Sequence, residues 1–598
     1  MKIKHLFGLA VIAAMAASCS SNEDLGTAGP GTGNNEAGVG YVAFNINLPT
    51  QSGFSSRAGS ENDQFDAGTP NEYDVKDATL LIFEGSSESS AQFKGAYTLN
   101  TAPWKDNDQT DNITTTSATI VKQIDTPASS DHCYALVVLN KNDVFTVDET
   151  AKTITLKGAT ATFSGTYKNF AESLSEENLT NNGFYMANAP LASKAGGATD
   201  PAGAEINTLA NLDGKIKEKE SEAKSAPAQI YVERGVAKVT MQNTSTTPAT
   251  VAGSTKSDGT SSVEFKITSW VLDNTNKKTY LVRSTDGFDD WTSLASNSTT
   301  LLTANKFRFV GPNAVADNLY RTYFAKDANF DQTGNTAALT AGDLVTNPNP
   351  TFVDKFGNDN PQYCFENTFD AACQNDRYTT RVLIKARLNS GETFYVFNGD
   401  QNTIYPIDKV KDEIKKYFLT EYESWIKANV TIKANVTIAS GSVGEGNLDV
   451  DITDKAGDVA LNSITFTNGA TTTATLPTDY QQKVMDRVGT IKEYKDGESY
   501  YFVRIKHFGD DMTPWNTNET TKPSTSSIYP VDHQAGNYLG RYGVLRNNWY
   551  DIAVEGVKGL GSAVVPKVTP NTDDELKSYI AVKINVLSWA KRTQNVVL

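Results

Sequence analysis

Short apolar runs with a two-residue period recur along this chain of 598 residues. In the first run, Val42, Phe44, Ile46 and Leu48 alternate with small or polar residues, and Pro49 follows directly. Such alternation is typical of a β-strand with one buried face, because successive side chains of a strand point to opposite sides. Similar runs, separated by polar segments rich in turn residues, predict further strands up to residue 554. The chain is therefore predicted to be mostly β.

One stretch has helical spacing instead. From Ile407 to Ile426 apolar residues recur at intervals of three and four, which predicts an amphipathic helix whose apolar stripe packs on a sheet. A drift in composition towards Ala, Gly, Lys and Glu marks a domain boundary near Gln229. We therefore predict an N-terminal domain over residues 58–229 and a C-terminal domain over residues 230–598.

The first 19 residues have the composition of an export signal. Lys2 and Lys4 precede an apolar run that is too short to span a membrane and remain there. Cys19 follows small residues, which resembles a lipobox in which the Cys thiol takes the lipid; cleavage as an ordinary secretory signal is the alternative. Ser20 to Asp24 is similar to the acidic tag of surface-directed lipoproteins. Residues 1–19 are thus predicted to be a lipoprotein signal peptide, and the precursor an outer-membrane lipoprotein.

Charge and residue spacing argue against several classes of function. A net charge of −16 disfavours nucleic-acid binding, because a surface that follows phosphates needs clustered Lys and Arg. The histidines after the signal peptide are not spaced as metal ligands; they are His132, His507 and His533. No catalytic constellation stands out. We predict no enzymatic activity, no metal and no cofactor, and membrane contact only through the lipid of the precursor.

Three tryptophans raise glycan binding as an alternative. Trp104, Trp291 and Trp515 could serve as stacking platforms for sugar rings. Tryptophan in a β-rich protein is more often part of the core or of an interface. Core or interface positions are therefore the preferred interpretation.

The cysteines after the signal peptide allow one disulfide. Cys364 and Cys373 lie nine residues apart in a polar stretch, so they could close a small loop in an oxidising compartment. Two unpaired thiols agree with the sequence nearly as well. Cys133 precedes an apolar run and is predicted to be a buried core thiol.

The last apolar run repeats the pattern of the first. Ile580, Val582, Ile584 and Val586 alternate with small or polar residues and with Leu587, much as in the first strand. A terminal strand with one apolar face is an aggregation hazard unless it is paired. Addition to the sheet of another molecule is the productive form of such pairing. Both segments could therefore fill the same kind of groove.

A single basic residue, Arg57, follows the first strand within a Ser- and Gly-rich stretch, where a protease would have access. Cleavage between Arg57 and Ala58 would remove residues 20–57 as a propeptide, including the strand with Val42. The groove left behind could accept residues 578–598 of another copy, a donor segment that includes Trp589. In the alternative interpretation both ends are ordinary edge strands and Arg57 is a loop residue.

Several stretches resemble a known family, the Mfa1 and FimA fimbrillins, which are subunits of the protease-assembled, or type V, pili of Bacteroidales. The matching stretches are Phe184 to Asn188, Val232 to Val239, Tyr500 to Gly509, Val544 to Gly559 and Asn585 to Trp589. The Val-Glu-Arg-x-Val-Ala-Lys strand and the terminal Val-Leu-x-Trp strand are the most specific. Mfa1-like shaft subunits are the most similar group. Gly235 departs from the pattern, since Ala or another apolar residue is usual there.

The resemblance implies two tandem transthyretin-like β-sandwich domains with one or two accessory helices. It also implies a palmitoylated lipoprotein precursor, cleavage by an arginine-specific or trypsin-like surface protease, and donor-strand polymerisation with other copies. Anchor and tip subunits of the fimbria are the further partners, and adhesion to a host or bacterial surface is the role. The alternatives are a tip or accessory adhesin with a ligand site, and a surface glycan-binding lipoprotein. The lack of any recognisable domain beyond the two favours a shaft subunit.

Overall fold

The computed structural model describes residues 38–48, 69–101, 117–125, 132–194, 205–242, 249–285, 310–316, 318–322, 325–328, 344–345, 350–368, 378–433, 442–505, 507, 542–568 and 580–588. Within these ranges the chain is mostly β, which confirms the predicted fold class. No helix in the described ranges is both long enough and apolar enough to cross a membrane.

The strands of the first half are β1 (Val39–Asn47), β2 (Ala78–Gly85), β3 (Gln92–Thr98), β4 (Ser117–Asp125), β5 (His132–Leu139), β6 (Phe145–Asp148), β7 (Thr153–Leu156), β8 (Leu174–Ser175), β9 (Met186–Asn188), β10 (Leu191–Ala192), β11 (Ile206–Asn207), β12 (Ala210–Asn211) and β13 (Ala228–Arg234). Short helices join them: α1 (Pro70–Tyr73), α2 (Tyr167–Ala171) and α3 (Glu220–Ser225).

The second half contains β14 (Ala237–Gln242), β15 (Ala249–Lys256), β16 (Ser262–Asp273), β17 (Thr275–Asn276), β18 (Thr279–Tyr280), β19 (Val310–Ala316), β20 (Leu319–Thr322), β21 (Leu344–Val345), β22 (Gln362–Cys364), β23 (Arg381–Leu388), β24 (Phe394–Phe397), β25 (Thr403–Ile404), β26 (Val430–Ile432), β27 (Leu448–Ile452), β28 (Gly457–Asp458), β29 (Leu461–Phe466), β30 (Ala470–Thr472), β31 (Ile491–Tyr494), β32 (Glu498–Arg504), β33 (Asn548–Val557) and β34 (Ile580–Ser588). Its helices are α4 (Ile407–Glu421), α5 (Glu423–Asn429) and α6 (Tyr480–Val488).

The first core lies under an eight-stranded sheet with the order β3-β2-β5-β9-β13-β1-β4, in which β12 also pairs with β5. Phe44, Leu80, Leu136 and Tyr185 are among its fully buried side chains. Continuous burial along β5 explains why its sequence is apolar without alternation.

The second core lies between two sheets, which have the orders β22-β14-β33-β34 and β25-β15-β16-β23-β32. Val239 and Ile552 from the first sheet and Phe265 and Ile384 from the second belong to one apolar cluster. This arrangement of two sheets facing one core is a β-sandwich.

The chain passes from the first core to the second at Gly235 and Val236, between β13 and β14. A Cβ at Gly235 would lie 3.0 Å from the side chains of Leu179 and Tyr185, so a larger residue would require these two side chains to move. The sequence analysis placed the boundary slightly earlier, near Gln229. Leu281, which follows the predicted boundary by many residues, is nevertheless buried in the first core.

A third core, which the sequence analysis did not foresee, lies within residues 394–494. Helices α4 and α6 cover β27 and β29, and their buried residues include Val410, Phe418, Val450 and Val484. The predicted helix is present, but it divides into α4 and α5 at Tyr422. Its stripe packs on another helix as well as on strands, and Ile407 at its start is 41% exposed. Ile407 was wrongly included in the buried stripe, since the buried side chains of α4 begin at Val410.

Candidate strand-exchange site

The first strand occupies an interior position of its sheet. β1 pairs with β4 in antiparallel fashion over its whole length, from Val39 opposite Asp125 to Asn47 opposite Ser117. On its other side it runs parallel to β13, with Phe44 opposite Ala228. β1 is therefore the strand that joins β4 to the rest of the sheet.

The apolar face of β1 lies in the first core. Val42, Phe44 and Ile46 are fully buried, and Leu48 is 5% exposed. Burying such side chains contributes roughly 1.5 to 3 kcal/mol each, an upper estimate because an unfolded chain is already partly compact. Loss of β1 would expose an apolar groove, together with the backbone hydrogen-bonding groups of β4 and β13.

The opposite face of β1 is partly covered: Ala43 is 1% exposed, and helix α3 lies against β1 and β4. The Asn45 amide donates a hydrogen bond to Gln229 Oε1 at 2.9 Å, and the Asn47 amide donates one to the Ile230 carbonyl at 3.1 Å. Tyr41 and Lys217 exchange two backbone hydrogen bonds at the start of the strand, with N–O distances of 2.7 and 2.8 Å. Most of the attachment of β1 is thus sheet hydrogen bonding and apolar burial, which another strand with one apolar face could reproduce.

The chain beyond β1 is anchored again at Glu72 in α1. The Glu72 side chain is 1% exposed, and its carboxylate lies 2.9 Å from Lys238 Nζ. It also accepts hydrogen bonds from the Thr69 backbone N–H at 2.8 Å and from the Tyr363 hydroxyl at 2.6 Å. Although burial alone would raise the pKa of Glu72, Lys238 and Tyr363 hold it below its usual value.

Between β1 and this anchor lie Arg57 and Ala58, the predicted processing site, which fall outside the described residues. The anchor is on the C-terminal side of that site. A cut after Arg57 would therefore separate β1 from a chain that remains fixed at Glu72.

Among the described strands, the last one lies at the edge of its sheet. β34 pairs with β33 in antiparallel fashion from Asn548 opposite Ser588 to Val557 opposite Ile580, with an irregularity between Val554 and Gly556. Its residues Ile580, Val582, Ile584 and Val586 thus pair within their own chain, whereas the sequence analysis assigned their partner to another molecule. Without β34, strand β33 would be the edge of this sheet, and a single chain can pair that edge with its own last strand. Trp589 follows β34 and lies outside the described residues.

Two of the four cysteines, Cys133 and Cys364, lie within the described residues. Cys133 and Cys364 are free and buried. Burial raises the pKa of each thiol to about 12, which makes both poor nucleophiles. The free thiol of Cys364 agrees with the alternative of two unpaired thiols and not with a disulfide to Cys373. Cys373 and Cys19 lie outside the described residues, and the lipidation stays a prediction.

The described residues contain no group of three His, Cys, Asp or Glu side chains arranged to hold a metal ion. His507, one of the three histidines that are not spaced as metal ligands, is buried, and its Nδ1 lies 2.7 Å from the Tyr550 hydroxyl. The three tryptophans considered as glycan platforms, Trp104, Trp291 and Trp515, lie outside the described residues.

The buried ion pair of Lys238 and Glu72 joins the two large cores, and this contact was not expected from the sequence. A second buried ion pair joins Arg283 Nη2 to Glu233 Oε2 at 2.7 Å, and both side chains are at most 5% exposed. Burial raises the pKa of Glu233, against the opposing effect of Arg283. Charged residues within the apolar stretch from Val232 to Val239 were the sequence feature that could have indicated these ion pairs. Buried charges in such a position need partners, and here the partners come from across the boundary.

The C-terminal residues 492–595 match the family model described as major fimbrial subunit protein type IV, fimbrillin, C-terminal. This segment includes β32, β33 and the candidate donor strand β34. The fimbrillin resemblance is confirmed for this C-terminal segment. No curated protein matches this chain in sequence.

Solved structures similar to this chain include a candidate cell adhesion protein from Parabacteroides distasonis, with 11% identity, a TM-score of 0.35 and coverage of 93% of this chain and 99% of that chain. A candidate cell adhesion protein from Bacteroides eggerthii has 11% identity and a TM-score of 0.31, over 92% of this chain and 96% of the other. The tip fimbrial protein Mfa3 from Porphyromonas gingivalis, with a C-terminal truncation, has 10% identity and a TM-score of 0.25, over 92% and 100%.

Proposed function

We propose that this chain is a structural subunit of a cell-surface fimbria that polymerises by strand exchange. Export as a lipoprotein through Cys19 precedes removal of residues 20–57 by a surface protease that cuts after Arg57. The groove left by β1 then accepts β34 and the residues after it from another copy. Anchor and tip subunits, which occur among the fimbrial proteins of Porphyromonas gingivalis, are the further partners.

One observation carries this proposal: the strand that precedes Arg57 is interior to its sheet. An N-terminal strand at a sheet edge could be lost with little consequence, but loss of β1 leaves open strands on both sides. Such a gap is filled best by another strand that has one apolar face, and β34 has the matching sequence pattern. Cleavage thereby controls when the subunit becomes able to assemble.

The test is the variant Arg57→Ala. We expect an exported, folded monomer that forms no fibres, because β1 remains in its groove. Negative-stain microscopy of the cell surface should show no fibres from this variant, and mass spectrometry of wild-type fibres should give Ala58 as the first residue. Arg57→Lys serves as a control: fibres persist with a trypsin-like protease and vanish with an arginine-specific one. Wild-type fibres that start at Cys19 would overturn the proposal.

The third core supports a second candidate, a tip or accessory adhesin. A shaft subunit was preferred because the sequence shows no domain beyond two, whereas residues 394–494 contain an additional core. Immunogold labelling separates the two roles. Label along the whole fibre indicates a shaft subunit, and label at fibre ends alone indicates a tip adhesin.

A further inference from the structure

A cleft opens on the outer face of the second sandwich. It lies between strands β16, β23 and β32 on one side and the segment of residues 350–356 on the other, and its volume is about 610 Å³. This volume is within the usual range for sites that hold small molecules, about 300 to 1,000 Å³. The inner faces of the same strands are core, so the cleft has a rigid floor.

A β-bulge shapes the floor of the cleft. Ile267 pairs with Ala386 and Ser269 pairs with Lys385, so Thr268 is an extra residue in β16. A bulge of this kind redirects side chains from the regular alternation. As a result both Thr268 and Ser269 line the cleft, and the Thr268 hydroxyl donates a hydrogen bond to the Lys385 carbonyl at 3.1 Å.

One wall of the cleft is aromatic. Phe352 is half-buried, and its ring centroid lies 5.8 Å from that of Tyr500 on β32. Lys385 Nζ lies 5.9 Å from the centre of the Tyr500 ring. Burial raises the pKa of Tyr500 to about 12, so its hydroxyl stays neutral and donates to Glu498 Oε2 at 3.0 Å. The Phe352 ring is thus held by a second ring behind it and offers an apolar surface to the cleft.

The charges around the cleft balance. Lys385 and Arg387 are the cations, and Asp354 and Glu498 are the anions. Lys385 Nζ lies 2.5 Å from Glu498 Oε1. Arg387 is exposed, and none of the described residues forms a salt bridge with it. A balanced set of this kind provides many hydrogen-bond donors and acceptors without selecting a ligand of either charge.

We propose that this cleft binds a neutral oligosaccharide. A sugar ring combines an apolar face of C–H groups, which suits the Phe352 ring, with hydroxyls that suit Arg387, Asp354 and the two side-chain hydroxyls of the bulge. The site would supply the ligand contact for the adhesin role, and in that respect it rests on the proposed function. Binding itself does not require a fibre.

The test uses the purified mature chain on a printed array of neutral, sialylated and sulfated glycans. We expect retention of at least one neutral glycan. Phe352→Ala and Arg387→Ala should each weaken binding of that glycan by about tenfold or more, while Phe352→Trp keeps it. Tyr417→Ala, on helix α4 and outside the cleft, is the matched control and should bind like the wild type.

A wild-type chain that retains no glycan, or only acidic glycans, would overturn the inference. Equal binding by the wild type and both cleft variants would also do so. The cleft variants should form fibres normally, which separates the two proposals. A blank array with normal fibres contradicts the glycan site alone, and glycan binding by a chain that never assembles contradicts the fimbrial proposal alone.

Discussion

At the scale of single residues, the buried ion pairs between the cores explain why charged residues stand inside apolar strands of this chain. Lys238 contacts Glu72 on one side, and its Nζ lies 4.0 Å from the centre of the Trp549 ring. A buried pair of this kind adds little stability compared with apolar residues of similar size, but breaking it leaves an uncompensated charge. Its value lies in fixing one relative position of the elements that it joins.

The first prediction concerns this pair. Glu72→Gln should lower the free energy of unfolding by about 3 to 5 kcal/mol, because the Lys238 ammonium stays buried without its counter-charge. The double variant Glu72→Gln with Lys238→Met should recover most of that loss. Denaturant unfolding measures both. Glu423→Gln, which breaks an exposed pair with Lys427, is the control and should unfold like the wild type. Equal effects of the single and double variants would contradict the account.

A second prediction concerns Glu88, whose carboxylate accepts hydrogen bonds from the backbone N–H groups of Thr208 and Leu209. Burial raises the pKa of Glu88 from 4.5 to about 7. Between these two pH values the unfolded chain is ionised while the folded chain holds its proton, so folding loses stability as the pH rises. The wild type should therefore lose stability relative to Glu88→Gln from pH 4.5 to pH 7, with no further change above. Thermal unfolding of both proteins across this pH range measures the difference, and parallel curves would show that the Glu88 pKa is not raised.

At the scale of elements, β1 and β34 have similar sequence patterns but different positions. β1 has a neighbour on each side, and β34 has one neighbour among the strands that the structure describes. An edge strand gives up one set of ladder hydrogen bonds on leaving its sheet, whereas an interior strand gives up two. The transfer of a terminal strand from an edge to an interior groove therefore gains hydrogen bonds.

The third prediction follows from this difference. Removal of residues 578–598 should abolish fibres while the monomer stays folded with reduced stability, since the sheet keeps β22, β14 and β33. Circular dichroism of the monomer and electron microscopy of the cells measure the two effects. Fibres of wild-type length from the truncated chain would show that another segment joins the subunits.

A substitution pair refines that experiment. Ile584 stands opposite Ile552, which is fully buried. Ile584→Asp should weaken or abolish fibres, because it places a charge in an apolar groove without a partner. Lys583→Asp, one position away, should leave the fibres nearly unchanged. Similar losses from both variants would mean that the strand does not present one face to a groove.

The sequence predicted the elements better than their arrangement. Alternation at Val42 to Leu48 identified β1, and spacing between Ile407 and Ile426 identified the helical region, because both patterns are local consequences of one buried face. Neither pattern indicates which part of the protein packs against the buried face of the strand or helix. The third core was missed for this reason, since β27 and β29 are short and meet α4 and α6 only after folding. The cleft beside Phe352 was missed as well, because a bulge and a distant segment create it.

At the scale of the whole molecule, the proposed subunit has two separate working surfaces. The groove of β1 lies in the first core, and the candidate donor strand lies in the sheet of the second core. In a chain of subunits each copy can thus give a strand at one place and receive one at another. A head-to-tail arrangement extends into an open fibre when the rotation between subunits does not close a ring.

The most direct measurement is a cross-link between two differently marked copies. Gln229, on the exposed side of β13, contacts Asn45 of β1, so Gln229→Cys would lie beside any strand that replaces β1. A second copy would carry Lys583→Cys, or Asn585→Cys to allow for a shift in register. The two single variants are expressed together, and their fibres are oxidised and digested for mass spectrometry. The account predicts a disulfide between the two copies in fibres whose subunits begin at Ala58. Fibres that lack this disulfide with either donor variant, and whose subunits still contain residues 38–48, would contradict it.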